Sequence, residues 1–137
     1  MKLYTLNLYD MIEEYKQEFF IGVFSSYEKA VQVAKTMLKE VLGFKDYDCK
    51  YEIEEKNING SEKSFNMVSI IWGWNEDEDG NPIDIIESDL YINHNEAEAE
   101  FDILQAKCSR EEWSLDQYTI DKVLWQDGFL RFGEGKS

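Results

Sequence analysis

The chain has 137 residues, 43% of them hydrophobic and 15% aromatic, and carries 29 acidic side chains against 14 basic, a net charge of −15. That length and apolar content predict one folded domain with a real core and exclude a disordered chain. A field of this sign repels nucleic acid and anionic membrane and steers basic partners inward.

Residues 3–9 alternate, with Tyr4, Leu6 and Leu8 on one face, and predict a strand. An acidic loop follows, with Asp10, Glu13 and Glu14. Residues 18–25 predict a second strand facing inward through Phe19, Ile21 and Val23. Ser26 is positioned to cap a helix over 27–42 by accepting free N–H groups at its start. Ala30, Val33, Ala34, Met37, Leu38, Val41 and Leu42 keep a helical period, and Gly43 ends it. Residues 49–57 predict a third strand with Cys49, Tyr51 and Ile53 facing in, and Asn59-Gly60 is a tight-turn signal.

The pattern then restarts. Ile70, Trp72 and Trp74 share one face of a fourth strand, Asp79-Gly80-Asn81-Pro82 makes a turn, and a fifth strand covers 83–92. Asn93 or Asn95 can cap a helix over 95–109. Residues 117–125 predict a sixth strand, Asp127-Gly128 a turn, 129–132 a short final strand and 133–137 a tail. Ala30, Ala34, Met37 and Val41 align with Ala97, Phe101, Leu104 and Cys108 at an offset of 67. The fold predicted is therefore α+β. It is a single domain of two tandem strand-strand-helix-strand repeats, about 1–66 and 67–132, related by a pseudo-twofold. A mixed or antiparallel sheet, in its simplest assembly a single one, carries both helices on one face.

Chemical motifs are sparse. Asn75-Glu76-Asp77-Glu78-Asp79-Gly80 resembles the first half of a calcium loop, but the twelfth position is Ile86, where a bidentate Glu is required. A solvated hairpin tip is the better reading. His94 is the single histidine and sits among asparagines at a helix entry, which suits capping or surface contact more than a triad or zinc site. Cys49 and Cys108 form no metal or redox pattern, and no basic run leads into a long apolar one at the N-terminus. The expectation is a cytoplasmic protein with neither metal nor cofactor and no catalytic residues. Trp72 and Trp74 are expected in the core, whereas Trp113 and Trp125 are candidates for an exposed anchor.

Ile21-Gly22-Val23-Phe24-Ser25-Ser26, then Ala30, Gly43-Phe44-Lys45-Asp46-Tyr47 and Tyr51-Glu52-Ile53 resemble a family of small uncharacterised bacterial domains. Its members end in an acidic residue, an aromatic and Gly-Phe. That ending is read here as Asp121, Trp125 and Gly128-Phe129, in the second copy. The resemblance spans about half of the chain and implies no activity. In size and charge the chain is also similar to bacterial immunity proteins, which cover the active site of a toxin, often a basic nuclease.

No Lys or Arg occurs between Lys63 and Lys107, a stretch that holds eleven acids. The leading expectation is a non-enzymatic module whose acidic face docks a basic protein partner, such as a toxin, through Glu76, Asp77, Glu78, Asp79, Asp84 and Glu87, with Trp113 as an aromatic contact. A ligand-binding or enzymatic groove between the repeats is the alternative. A structural homodimer through an exposed sheet edge is the third.

Overall fold

The computed structural model describes residues 2–60 and 65–129. In chain order the elements are β1 (Leu3–Ile12), β2 (Tyr15–Phe24), α1 (Tyr27–Glu40), β3 (Lys50–Lys56), β4 (Ile58–Asn59), β5 (Met67–Glu76), β6 (Pro82–Glu87), β7 (Leu90–Tyr91), α2 (His94–Lys107) and β8 (Glu112–Thr119). The fold is α+β, as the periodicities predict. The strands are shared between two sheets, one of three strands and one of five, where the simplest assembly is a single sheet. The chain divides into two compact units. One is discontinuous, Lys2–Lys56 with the chain from Ile120 onward, and the other is continuous, Asn57–Thr119.

In the discontinuous unit β1 lies between β2 and β3 and is antiparallel to both, so β3 runs parallel to β2. Ser26 caps α1 by accepting the Lys29 N–H at 3.1 Å. The buried face of α1, Ala30, Ala34 and Met37, packs with Leu6, Leu8, Phe19, Ile21, Phe24 and Phe44. Each large side chain removed from water here contributes about 1.5–3 kcal/mol. Leu6 pairs with Gly22 and Asn7 with Phe20, leaving Ile21 as a bulge on β2. Two expectations change. Asp10 belongs to β1, not to a loop, and is 3% exposed, because the β1–β2 ladder runs on to Ile12 and Tyr15. Ile53 and Cys49, not Tyr51, are the residues at β3 that pack on the core.

In the continuous unit β5 is the middle strand. β8 pairs along one side, Met67–Trp74 against Thr119–Glu112, and β6 and β7 share the other. β4 joins β7 in parallel, which makes this sheet mixed. Asn93 is the cap of α2, accepting the Asn95 and Glu96 N–H groups. The predicted strand 83–92 is broken at Ser88. The Ser88 hydroxyl accepts the Ile71 N–H at 2.8 Å, and the Ser88 N–H donates to the Ile71 carbonyl at 3.0 Å. These side-chain and backbone bonds replace a regular ladder there. The strand predicted at 117–125 is observed at 112–119. After Thr119 the chain turns through Asp121 at φ +66 and pairs elsewhere. Asn59 of the predicted Asn59-Gly60 turn lies in β4. Of the short strand predicted at 129–132, Phe129 is not in a strand, and residues 130–137 lie outside the described residues.

Each unit thus runs strand, strand, helix, strand with the first strand in the middle, the second strand of the continuous unit being split into β6 and β7. The two helices have 14 residues each, and their caps Ser26 and Asn93 stand at the same offset as the aligned helix positions.

Candidate functional site

The β5–β6 hairpin gathers most of the predicted site. Its tip is built by Asp77, whose carboxylate accepts the Asp79 and Asn81 backbone N–H groups at 2.9 Å each and the Asn81 side-chain amide at 3.2 Å. The backbone closes the same turn, Asp77 N–H to the Asn81 carbonyl and Gly80 N–H to the Asp77 carbonyl. Hydrogen bonds from Asn81 first, then from Asp79 and Gly80, hold the Asp77 carboxyl below the usual range against a smaller opposing cost of desolvation. Asp77 is therefore half-buried and spent on the turn. Its oxygens, the first a calcium loop would recruit, already accept from the backbone.

Glu76, Glu78, Asp79 and Asp84 are exposed on this hairpin. Asp84 adopts φ +53 and accepts the Asn75 side-chain amide at 3.2 Å. Arg110 reaches the hairpin base, but its Nε donates to the Asp84 backbone carbonyl at 2.6 Å and its Nη1 to the Ser109 carbonyl. The nearest guanidinium is thus bound to carbonyl oxygens, and among the described residues no cation pairs with the carboxylates of Glu76, Asp77, Glu78, Asp79 or Asp84. Residues 57–119 contain 15 acids and 3 bases, while the rest of the chain contains 14 and 11. The imbalance therefore coincides with one structural unit. On α2 the exposed Glu96, Glu98 and Asp102 add to it.

Two predicted residues sit differently. Trp113 lies opposite Gly73, where an added Cβ would meet the indole at 2.9 Å, and its ring meets Phe101 of α2 edge-on at 6.3 Å. It is half-buried packing between β8 and α2 and not the exposed anchor expected, because Gly73 leaves the space its ring fills. Glu87 is half-buried opposite Trp72, with Oε2 out of contact with solvent. Nearby, the Trp72 indole N–H donates to the Tyr118 hydroxyl at 3.0 Å. Burial pushes Tyr118 up to about 12, reinforced by Asp116 and Glu87 and opposed by the Trp72 hydrogen bond. Trp125 is the exposed tryptophan, 46% accessible.

The arrangement nearest to a catalytic one is Ser69, His94 and Glu98. Ser69 Oγ lies 3.2 Å from His94 Nδ1, and His94 Nε2 lies 3.1 Å from Glu98 Oε1. A hydrolytic triad needs an exposed nucleophile and an enclosed acid. Here the serine is 1% exposed in the middle strand and the glutamate is open to water. The chain of contacts ties the first residue of α2 to the sheet. Among the described residues no group of three or more His, Cys, Asp and Glu side chains is placed to hold a metal ion.

A second cluster escaped sequence reasoning. The residues that carry the family resemblance meet in the discontinuous unit. Asp121 accepts from the Ser25 N–H, the Ser25 hydroxyl and the Lys29 ammonium. Phe129 stacks on Phe19 at 4.4 Å and touches Phe44 edge-on at 4.9 Å. Added Cβ atoms at Gly22 and Gly43 would meet the Lys122 and Phe129 carbonyls at 2.6 and 2.4 Å. The ending read as belonging to the second copy thus completes the unit that holds the front of the pattern. The pattern's own spacing was the available signal, since Gly-Phe occurs at both 43–44 and 128–129.

Among the described residues no helix is long and apolar enough to cross a membrane. No family model, curated protein or solved structure matches the chain.

Proposed function

We propose that the protein is a non-enzymatic, acidic binding module that docks a basic protein partner, in the manner of a bacterial immunity protein acting in the cytoplasm on a nuclease-type toxin. The observation that carries this reading is the exposed carboxylate set Glu76, Glu78, Asp79 and Asp84, unpaired with any cation and braced by a turn that Asp77 holds rigid. Charges that protein cations do not cancel project a field that speeds encounter with an opposite patch. Fixing the hairpin beforehand lowers the ordering cost of binding. The exposed acids of α2 extend the same field.

Replacing Glu76, Glu78, Asp79 and Asp84 with Lys together is expected to slow association with the partner at least about tenfold and to flatten its salt dependence. An unchanged association rate contradicts the proposal. Asp77 is left in place in that variant because it shapes the hairpin.

A further inference from the structure

The chain re-enters the discontinuous unit at Ile120 and crosses it as a strap. At the far end Phe129 is fixed, with its N–H on the Leu42 carbonyl at 3.1 Å and its ring among Phe19, Phe44 and Tyr47. At the near end Asp121 is held by Ser25 and Lys29, while the Asp121 and Leu124 N–H groups donate to the outward carbonyls of Val23 and Ile21. Between these ends the strap does not pack down on the helix. A groove of about 350 Å³ separates Val123 and Gln126 from Val33, Met37 and Val41 of the α1 flank. Asp121, Lys122, Trp125, Gln126 and Asp127 are exposed. Asp121 and Trp125 hold φ values of +66 and +60, a left-handed conformation unfavourable for side chains of their size.

We propose that residues 121–127 are a releasable strap, latched at Asp121 and hinged beside Phe129, whose opening bares the apolar flank of α1 and the carbonyl edge of β2 while the sheet stays folded. The void under the strap means that opening breaks few apolar contacts. Opening also relaxes two left-handed residues, so the strap resists release mainly through the latch and two backbone hydrogen bonds. Gly128, at φ +76 beside the fixed end, supplies the hinge. The proposal is independent of the acidic hairpin and its partner.

Hydrogen exchange of the full chain, read at single amides, tests it. The Asp121 and Leu124 amides are expected to exchange at least about tenfold faster than those of Leu6 and Leu8 in β1. Asp121→Asn should speed the two strap amides by about a further tenfold and leave β1 unchanged. Ser25→Ala, which removes one latch donor but keeps the carboxylate, should act in the same direction by a smaller factor, and it decides the matter where Asp121→Asn fails to fold. Strap and β1 amides exchanging at one common rate, or accelerating together in the variant, would make the segment an integral part of the core and overturn the proposal.

Discussion

The Asp121 carboxylate accepts the Ser25 N–H at 2.8 Å and the Ser25 hydroxyl at 2.9 and 3.1 Å, across 96 residues of sequence. Together with Lys29 at 2.9 Å, this contact fastens the returning chain to the end of β2 and the start of α1. Its energetic weight can be read from pH. Desolvation pushes the Asp121 carboxyl up, but the hydrogen bonds from Ser25 and Lys29 and the Lys29 charge outweigh it and hold the group below its ordinary range. A depressed folded-state pKa contributes stability above the unfolded value, near 3.9 for Asp, and loses it as pH falls through the folded one. At neutral pH Asp121→Asn should cost about 1–3 kcal/mol in urea unfolding. The difference from wild type should shrink as pH falls below about 4. A pH-independent difference contradicts this account.

Two glycines separate backbone strain from lack of space. Gly128 has φ +76, and an added Cβ would lie 1.9 Å from the Leu42 carbonyl oxygen. Gly80 has φ +83 with nothing within 4 Å of an added Cβ. Gly80→Ala should cost about 1 kcal/mol, the conformational term alone. Gly128→Ala should cost at least about 2–4 kcal/mol, because the strap must move to admit the methyl group. Equal denaturation midpoints for the two variants would show that the strap does not seat on Leu42 as described.

Asp77 and Asp79 are neighbours on the hairpin with different duties. Asp77→Ala removes an acceptor for three N–H donors, so the Asn81 amide should exchange several-fold faster. Asp79→Ala should leave that amide unchanged, since the Asp79 backbone N–H, not its carboxylate, takes part in the turn. Asp77→Asn keeps an oxygen acceptor and should fall close to wild type. If all three variants exchange alike, Asp77 does not brace the tip.

Trp72 and Tyr118 give a spectroscopic test within the continuous unit. Tyr118 should be the last of the described tyrosines to ionise, near pH 12. Because the indole N–H favours the phenolate, Trp72→Phe should move Tyr118 higher still. A downward move in the ultraviolet titration would mean that the 3.0 Å hydrogen bond is not made.

Much of the local structure was legible. Ser26 and Asn93 cap helices because their side chains can replace missing backbone acceptors, and the apolar periods of β1, β2 and α1 follow from burying one face each. What sequence could not show is long-range pairing. Tyr118, Ile120 and Leu124 alternate well enough to suggest a strand. Yet Leu124 and Asp121 find their acceptors on β2, a hundred residues away, and β8 stops at Thr119. The same holds for Trp113, whose half-buried packing depends on the absent side chain of Gly73 on the neighbouring strand. Exposure of the hairpin acids followed from composition, but the division of labour between Asp77 and its neighbours required the turn geometry.

The most direct test of the docking claim is parallel capture from the host lysate with tagged wild type and the variant carrying Lys at positions 76, 78, 79 and 84. Retained proteins are washed at low and then high salt and identified. The account predicts one strongly basic protein held by wild type, released by salt, and missing from the variant. A partner retained equally by both, or one whose binding ignores salt, would contradict it, as would an empty capture.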